Sequence, residues 1–502
     1  MSTNAALAAI TIEEVIAWGV RDFVVCTGAR NAPLVLPLLE APPPIRVWRH
    51  FDERSAAFFA LGLSKRSREP VAVVTTSGTA VAELLPAVIE AHYSGLPLVL
   101  ITADRPKRFR ATGAPQAIEQ AHLFGPYSEG CLDVEAAEDF PREFPWNQRR
   151  PIQVNPCFEE PGREKPAVIN WTCALARPAI PMQPCLIGDH TLLDRFLAGF
   201  GDGGAVLLGE IEAADRPAVE AFLGKLSAPV WAEAISGLRE SRAFRRMPEN
   251  FEPAKVLRIG GVPSLRLWRD LEDRPRVPVL SITRTGFPGL ARPCETMEWP
   301  DFSRVNASAL EAEIAENRVD NRFSRFPLAE PSLIRSLSEM IPSEARIFLG
   351  NSLPIREWNL AATREAAHAD AFANRGANGI DGEISTFLGL TEGMAESWGV
   401  FGDLTALYDL NAPWVIDQLS SGKRRIVIVN NGGGRIFSRL PSLGGIDESR
   451  KQITENRHAI GFESWARMWG LGYTRDPAGP IAEDVAVIEL TPDAAQTEAF
   501  WG

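Results

Sequence analysis

The chain has 502 residues, of which 45% are hydrophobic and 23% charged, the proportions of an ordinary folded protein. That length exceeds what one hydrophobic core supports and predicts about three domains. The formal net charge of −12 argues against a nucleic-acid partner, and any anionic substrate must be held by local arginines against the overall field.

In chain order, Leu7, Ile10, Val15, Ile16 and Val20 follow a helical spacing, and the acids and bases among them (Glu13, Glu14, Arg21, Asp22) speak against a signal peptide. Phe23-Val24-Val25-Cys26 predicts a strand closed by Thr27-Gly28. A helix follows through Leu34 to Leu39 and is broken by Pro42-Pro43-Pro44. Arg46-Val47-Trp48 is strand-like, and Glu53 to Ser64 is helical with apolar Ala56, Phe59, Ala60 and Leu63. Val71 to Val74 predicts a buried strand running into Thr75-Thr76-Ser77-Gly78-Thr79, then a helix from Ala80 to Tyr93 and a strand from Leu98 to Ile101. Short apolar strands alternating with helices predict a parallel sheet covered on both faces.

Between about 185 and 325 the chain is richer in Pro, Arg and Trp, with strands expected at Val206 to Gly209 and Val256 to Gly261. Asn317 to Pro331 is polar and reads as a linker. The alternation then resumes with Ile347 to Gly350, Val400-Phe401, Ile426 to Val429 and Val485 to Ile488. The fold class is therefore α/β, with three doubly wound parallel-sheet domains at 1–182, 183–328 and 329–502, the first and third related and the second a spacer. The six cysteines (26, 131, 157, 173, 185, 294) contain no CxxC pair, so buried thiols in a reducing cytoplasm are expected, not zinc or a disulfide framework. No run is long enough to span a bilayer, and no membrane partner is expected.

Two strand ends carry the strongest chemical signal. Val400-Phe401-Gly402-Asp403-Leu404 and Ile426 to Gly434 each end an apolar run in an oxygen-bearing side chain, Asp403 and Asn430-Asn431. The stretch between them, Thr405 to Gly422, is long enough for a crossover helix, which would set the strand ends side by side where open α/β sheets bind ligands. Carboxylate, amide and carbonyl oxygens suit Mg²⁺, and the glycines let backbone approach a diphosphate; a turn and a loop are the plainer readings of the same residues. Arg30, Arg105, Arg356 and Arg375 each follow a strand, and guanidinium forks pair carboxylates, so a polycarboxylate substrate is plausible beside four surface ion pairs. Glu53 opens a helix, where the dipole alone favours an acid, and Ser77 to Thr79 opens another.

Phe51 to Gly62, Thr76 to Ala82, Leu100 to Pro106, Gln116-Ala117-Ile118, Gly350 to Leu353, Asn374 to Gly382, Gly402-Asp403-Leu404, Leu407 to Asn411 and Asn430 to Phe437 occur in the order found in thiamine-diphosphate enzymes. Within that superfamily the chain most resembles the 2-succinyl-5-enolpyruvyl-6-hydroxy-3-cyclohexene-1-carboxylate (SEPHCHC) synthases of menaquinone biosynthesis. The match covers the first and third blocks; the middle one matches loosely.

The resemblance implies a pyrimidine-binding domain, a spacer and a diphosphate-binding domain. It assigns Mg²⁺ (or Mn²⁺) to Asp403, Asn431 and the Gly433 carbonyl, and thiamine diphosphate to these residues with Glu53, Ser77, Ile380, Leu404, Ile436 and Phe437; Leu440 would line the same pocket. Glu53 would hydrogen-bond the aminopyrimidine, and Ile380 would support the bent cofactor. Ser352, Arg356 and Arg375 would contact substrate carboxylates or hydroxyls, and Arg30, Arg105 and Gln116 would hold the acceptor. The implied reaction decarboxylates 2-oxoglutarate and adds the succinic semialdehyde carbanion to isochorismate, in a homodimer or homotetramer with active sites at the subunit interface.

Three positions depart from the family pattern: Ala29 replaces a serine, Pro115 an asparagine, and Leu265-Arg266 a basic pair. They leave open a thiamine-diphosphate 2-oxoacid decarboxylase or carboligase with another acceptor. A non-catalytic oligomeric paralogue is the alternative of a different class, opposed by Glu53, Asp403 and Asn431.

Overall fold

A computed structural model of the chain describes residues 3–502 except 142–145, 161, 163–164, 178–189, 201–202, 227, 249, 306–320, 440–441 and 444. The expected boundary at 182/183, the first four residues of the expected linker (317–320), Cys185 and Leu440 lie outside the described residues.

Three parallel sheets organise the described chain. The first contains β1 (Asp22–Cys26), β2 (Arg46–His50), β3 (Val71–Thr75), β4 (Leu98–Thr102), β5 (Cys131–Val134) and β6 (Ile152–Pro156), in the order β2-β1-β3-β4-β6-β5. The second contains β7 (Gly204–Leu208), β8 (Val230–Ala232), β9 (Lys255–Ile259), β10 (Val279–Ile282) and β11 (Glu295–Met297), in the order β11-β10-β9-β7-β8. The third contains β12 (Arg346–Leu349), β13 (Ala371–Phe372), β14 (Glu396–Gly402), β15 (Lys423–Val429), β16 (Gly472–Thr474) and β17 (Val485–Leu490), in the order β13-β12-β14-β15-β17-β16. Counted from each sheet's first strand, the first and third orders are identical. The two blocks that look alike in sequence thus share one topology.

Tertiary contacts divide the chain differently from the sheets. One compact unit comprises Met1–Gln183, Gly376–Gly393 and Leu407–Ser421; the other comprises Pro184–Arg375, Met394–Ala406 and Gly422–Gly502. In the first unit, helix Glu53–Ser67 buries a continuous face, Ser55 to Lys65, and helix Glu383–Leu390 is buried along its whole length. They cross at touching backbones: a Cβ on Gly62 would lie 2.0 Å from the Thr386 carbonyl oxygen, and one on Gly389 would lie 2.2 Å from that of Phe59. Asp409, fully buried, bridges the pair by accepting from Ser385 N (2.7 Å), Ser385 Oγ (2.9 Å) and Ser55 Oγ (3.1 Å).

Three sequence expectations are corrected. The crossover between β14 and β15 is not one helix but Asp403–Tyr408 followed by a 3₁₀ stretch Ala412–Gln418, because Asp409 turns inward to its serines and Pro413 cannot continue an α-helical ladder. The expected helix Ala80–Tyr93 divides into Thr79–Ala82 and Leu85–Ser94, with Pro86 near the start of the second. The expected linker ends inside helix Glu330–Met340, whose first residues are buried. Strand β6 also escapes a hydrophobicity pattern. Its Gln153 and Asn155 are fully buried, and hydrogen bonds from Gln153 Nε2 to Thr102 Oγ1 (3.0 Å) and from Asn155 Nδ2 to Asp133 Oδ1 (2.8 Å) satisfy them.

Candidate active site

β14 and β15 pair in parallel with Gly402 opposite Val429, so Asp403 and Asn430-Asn431 leave neighbouring strands at the same end. Beside them β12 ends in Gly350-Asn351-Ser352, at the point where the strand order reverses between β12 and β14. Asp403 is buried. Its Oδ2 accepts from Gly432 N (2.8 Å) and Gly433 N (2.9 Å), its Oδ1 accepts from Leu404 N (2.7 Å), and His458 Nε2 lies 3.3 Å from Oδ2. Burial raises its carboxyl pKa, opposed by the Gly433 N–H and the neighbouring His458. Gly433 has φ 132°, and a Cβ there would meet the Glu455 carbonyl oxygen at 2.6 Å, so only glycine fits the loop.

The two asparagines are employed differently. Asn430 Nδ2 donates to Ile460 O (2.8 Å) and Glu489 Oε1 (2.6 Å), which fastens the end of β15. Asn431 Nδ2 donates to Glu330 Oε1 (3.2 Å) and Oε2 (3.0 Å), while its Oδ1 is buried and has no hydrogen-bond partner. The Gly433 carbonyl accepts from Arg435 N (2.8 Å) and keeps a second lone pair. An orphaned amide oxygen, a carboxylate with spare lone pairs and a glycine carbonyl form a hard oxygen set, which fits Mg²⁺. After the loop, Ile436 is half-buried and Phe437 is 40% exposed.

The arginines of this unit sit close by. Arg375 is buried and donates from Nη1 to Asn351 Oδ1 (2.8 Å), and its Nε has no partner. Arg356 is exposed and donates to the Ser352 carbonyl (2.6 Å). Ser352 has φ 69°, a conformation that non-glycine residues adopt only where the surroundings enforce it. Glu233, fully buried after β8, accepts from Ser264 N (2.6 Å); burial pushes its carboxyl up, and the Arg375 charge opposes that.

In the other unit the order reverses between β1 and β3, and Arg30 and Ser77 follow those two strands. Ser77 is buried. Arg30 is 5% exposed and already engaged: Nη1 donates to Phe158 O (3.0 Å) and Nη2 pairs with Glu160 (2.6 Å). Arg105 is half-buried, its guanidinium 5.6 Å from the Phe109 ring centre. Gln116 is exposed with φ 55°. Asp52 caps helix Glu53–Ser67 by accepting from Arg54 N (3.0 Å) and Ser55 N (3.3 Å), so the cap does not need Glu53. Glu53 is half-buried, and burial, with the Asp52 and Glu83 charges, raises its pKa. Ile380 is half-buried on a loop whose start is held by Glu90, which accepts from Gly376 N (2.8 Å) and Ala377 N (2.6 Å).

The sequence reasoning missed Glu90, Glu233, His458 and Glu330. Only Glu330 carried a usable signal: Glu-Pro at the start of an amphipathic run marks a helix N-terminus rather than a linker.

Oxygen-bearing side chains at a strand-order reversal lie where open α/β sheets bind ligands, and the fold is that of thiamine-diphosphate enzymes. Residues 6–123 match the family model "Thiamine pyrophosphate enzyme, N-terminal TPP binding domain". The fold is shared with benzoylformate decarboxylase from Polynucleobacter necessarius (TM-score 0.72, 13% identity, 97% of this chain and 98% of that one) and with a Rhodococcus jostii 4-hydroxybenzoylformate decarboxylase (TM-score 0.72, 18% identity, 97% and 99%).

The chain is 39% identical to the 2-succinyl-5-enolpyruvyl-6-hydroxy-3-cyclohexene-1-carboxylate synthase of Bdellovibrio bacteriovorus, over 99% of this chain and 98% of that one. It is 40% identical to the synthase of the same name from Akkermansia muciniphila, over 96% and 95%. It belongs to the SEPHCHC synthase family.

Proposed function

We propose that the protein decarboxylates 2-oxoglutarate with thiamine diphosphate and joins the four-carbon remainder to isochorismate, forming SEPHCHC in menaquinone biosynthesis. The observation that carries this most is the Asp403–Gly433 loop with its unpartnered Asn431 oxygen, in a chain related over its whole length to synthases of that name. Thiamine diphosphate, when bound, supplies the electron sink that loss of CO₂ from a 2-oxoacid requires.

The chain's residues hold and orient. Asp403, Asn431 and the Gly433 carbonyl hold Mg²⁺ or Mn²⁺, and Leu404 N fixes the Asp403 carboxylate. Glu53 holds a proton at the pyrimidine ring nitrogen, a task that its raised pKa favours. Ser77 and Ile380 position the cofactor, while Ile436 and Phe437 exclude water. Ser352, Arg356 and Arg375 receive the 2-oxoglutarate carboxylate that is retained, and Arg30, Arg105 and Gln116 orient the acceptor.

The working division is a pyrimidine-binding domain 1–182, a spacer 183–328 and a diphosphate-binding domain 329–502. Each active site forms between subunits of a homodimer or homotetramer; a monomeric mass in analytical ultracentrifugation would refute this. The described cysteines are free thiols, which fits a cytoplasmic setting, although only Cys26 and Cys157 are buried as expected and Cys173 is exposed; no helix among the described residues is long and apolar enough to cross a membrane.

The test mixes the protein with thiamine diphosphate, Mg²⁺, 2-oxoglutarate and isochorismate and follows isochorismate absorbance. The wild type is expected to consume isochorismate, and Glu53→Gln to lose on the order of 10²-fold or more; equal rates would remove Glu53 from its role. A second reading, a carboligase using another acceptor, is favoured by the prior engagement of Arg30 with Glu160 and by Ala29 beside it. CO₂ release without isochorismate loss would select it.

A further inference from the structure

Glu330 stands about one hundred residues before the loop it touches and belongs to none of the strand-end motifs. It is 2% exposed and begins helix Glu330–Met340, where its backbone N–H donates to Thr497 Oγ1 (3.0 Å). Both of its carboxylate oxygens receive the Asn431 amide, at 3.2 and 3.0 Å. An asparagine side chain has two faces of opposite chemistry: one donates only, the other accepts only. Both Glu330 oxygens are engaged as acceptors from Nδ2, so Glu330 favours one orientation of Asn431, with Nδ2 toward the helix. The remaining face is Oδ1, buried and without a partner. Rotation of the amide by 180° would set oxygen against carboxylate and leave N–H groups on the unpartnered face, the wrong polarity for a cation.

Glu330 is itself braced. Glu357, 1% exposed at its side chain, lies beside it and pairs with Arg439 Nη2 (3.2 Å). The brace therefore has three residues from outside the loop: Glu330, Glu357 and Arg439.

We propose that Glu330 is a positioning residue for the metal site, which locks the Asn431 amide with its oxygen turned to the cation. The inference rests on Asn431 being a metal ligand. Partners that orient metal ligands typically change metal affinity about 10–100-fold when removed.

The experiment measures the Mg²⁺ concentration at half-maximal thiamine diphosphate binding, read by tryptophan fluorescence, and Mn²⁺ occupancy by electron paramagnetic resonance. It compares wild type, Glu330→Met, Asn431→Ala and the double variant. Methionine keeps the volume without an acceptor, and replacing a buried charge by a well-packed apolar group is often tolerated. Glu330→Met is expected to raise the Mg²⁺ requirement about 10–100-fold with the metal-free melting transition retained, and the double variant to be no worse than Asn431→Ala alone, because both act through one amide. If Asn431→Ala leaves the requirement unchanged, Asn431 is no ligand and the underlying site assignment fails. If Asn431→Ala shifts it but folded Glu330→Met does not, or if the two effects add, the positioning role is overturned and the ligand assignment stands. Should Glu330→Met not fold, Glu330→Gln takes its place in the same cycle: it can present either an oxygen or an amide to Asn431, so a measurable rise is still expected, and none would overturn the role.

Discussion

Asp52 and Glu53 are adjacent acids with separate tasks, and the separation depends on what each carboxylate touches. Asp52 spends its oxygens on Arg54 N, Ser55 N and the Asn411 amide (2.8 Å). Glu53, one residue on, makes none of these contacts and is half-buried, its pKa raised by burial; under the proposed function it is the acid that meets the cofactor. His50 belongs to the same turn: its Nδ1 accepts from Asp52 N (3.0 Å), and burial lowers its pKa from 6.5 to about 4. Between those values the unfolded chain binds the proton and the folded chain does not, so stability falls as pH drops from about 6.5 towards 4. The full effect is on the order of 3 kcal/mol. Urea titrations at pH 7 and pH 4.5 should show this loss, and His50→Gln should reduce the difference; an unchanged difference would assign the acid sensitivity elsewhere. At this scale the strand ends of the candidate site were legible, because Asp403 and the Asn430-Asn431 pair end apolar runs, while the choice of Asn431 came from the family resemblance. Glu330 and Glu233 were not, since their roles come from partners far away in sequence.

Among the elements, the crossing of helices Glu53–Ser67 and Glu383–Leu390 is the tightest contact described. Asp409 and its serines hold it from one side, and Gly62 and Gly389 let the backbones meet. Gly389→Ala places a methyl group where the Phe59 carbonyl stands and is expected to cost about 3 kcal/mol, at the upper end of overpacking effects. Chemical denaturation would report it, and a midpoint equal to wild type would show that the crossing can relax. Strands with apolar runs were readable from sequence: β1, β3, β4, β12 and β15. β5 and β6 were not, because buried polar side chains such as Gln153 and Asn155, satisfied by Thr102 and Asp133, erase the hydrophobic signal. The length of Thr405 to Gly422 alone suggested a crossover helix; Pro413 inside it is the residue that breaks the helical ladder.

For the whole molecule, the likeness of the first and third blocks was anticipated from the alternation of apolar runs and helices, whereas their strand order and the discontinuous make-up of the compact units were not. Periodicity reports local structure; it does not report which distant segment covers a given face. A fragment ending at residue 182 would lack Gly376–Gly393 and uncover the buried face of helix Glu53–Ser67. It is expected to bind hydrophobic dyes and to self-associate; a monomeric fragment with a cooperative melt would contradict this. The same arrangement sets a timetable for biosynthesis. The N-terminal segment leaves the ribosome early, but its unit is complete only once residue 421 has followed, and at about 5–20 residues per second the interval is on the order of ten seconds or more. During that interval the uncovered face of helix Glu53–Ser67 is the natural site for a chaperone to hold, and a stalled or truncated transcript would leave it permanently exposed.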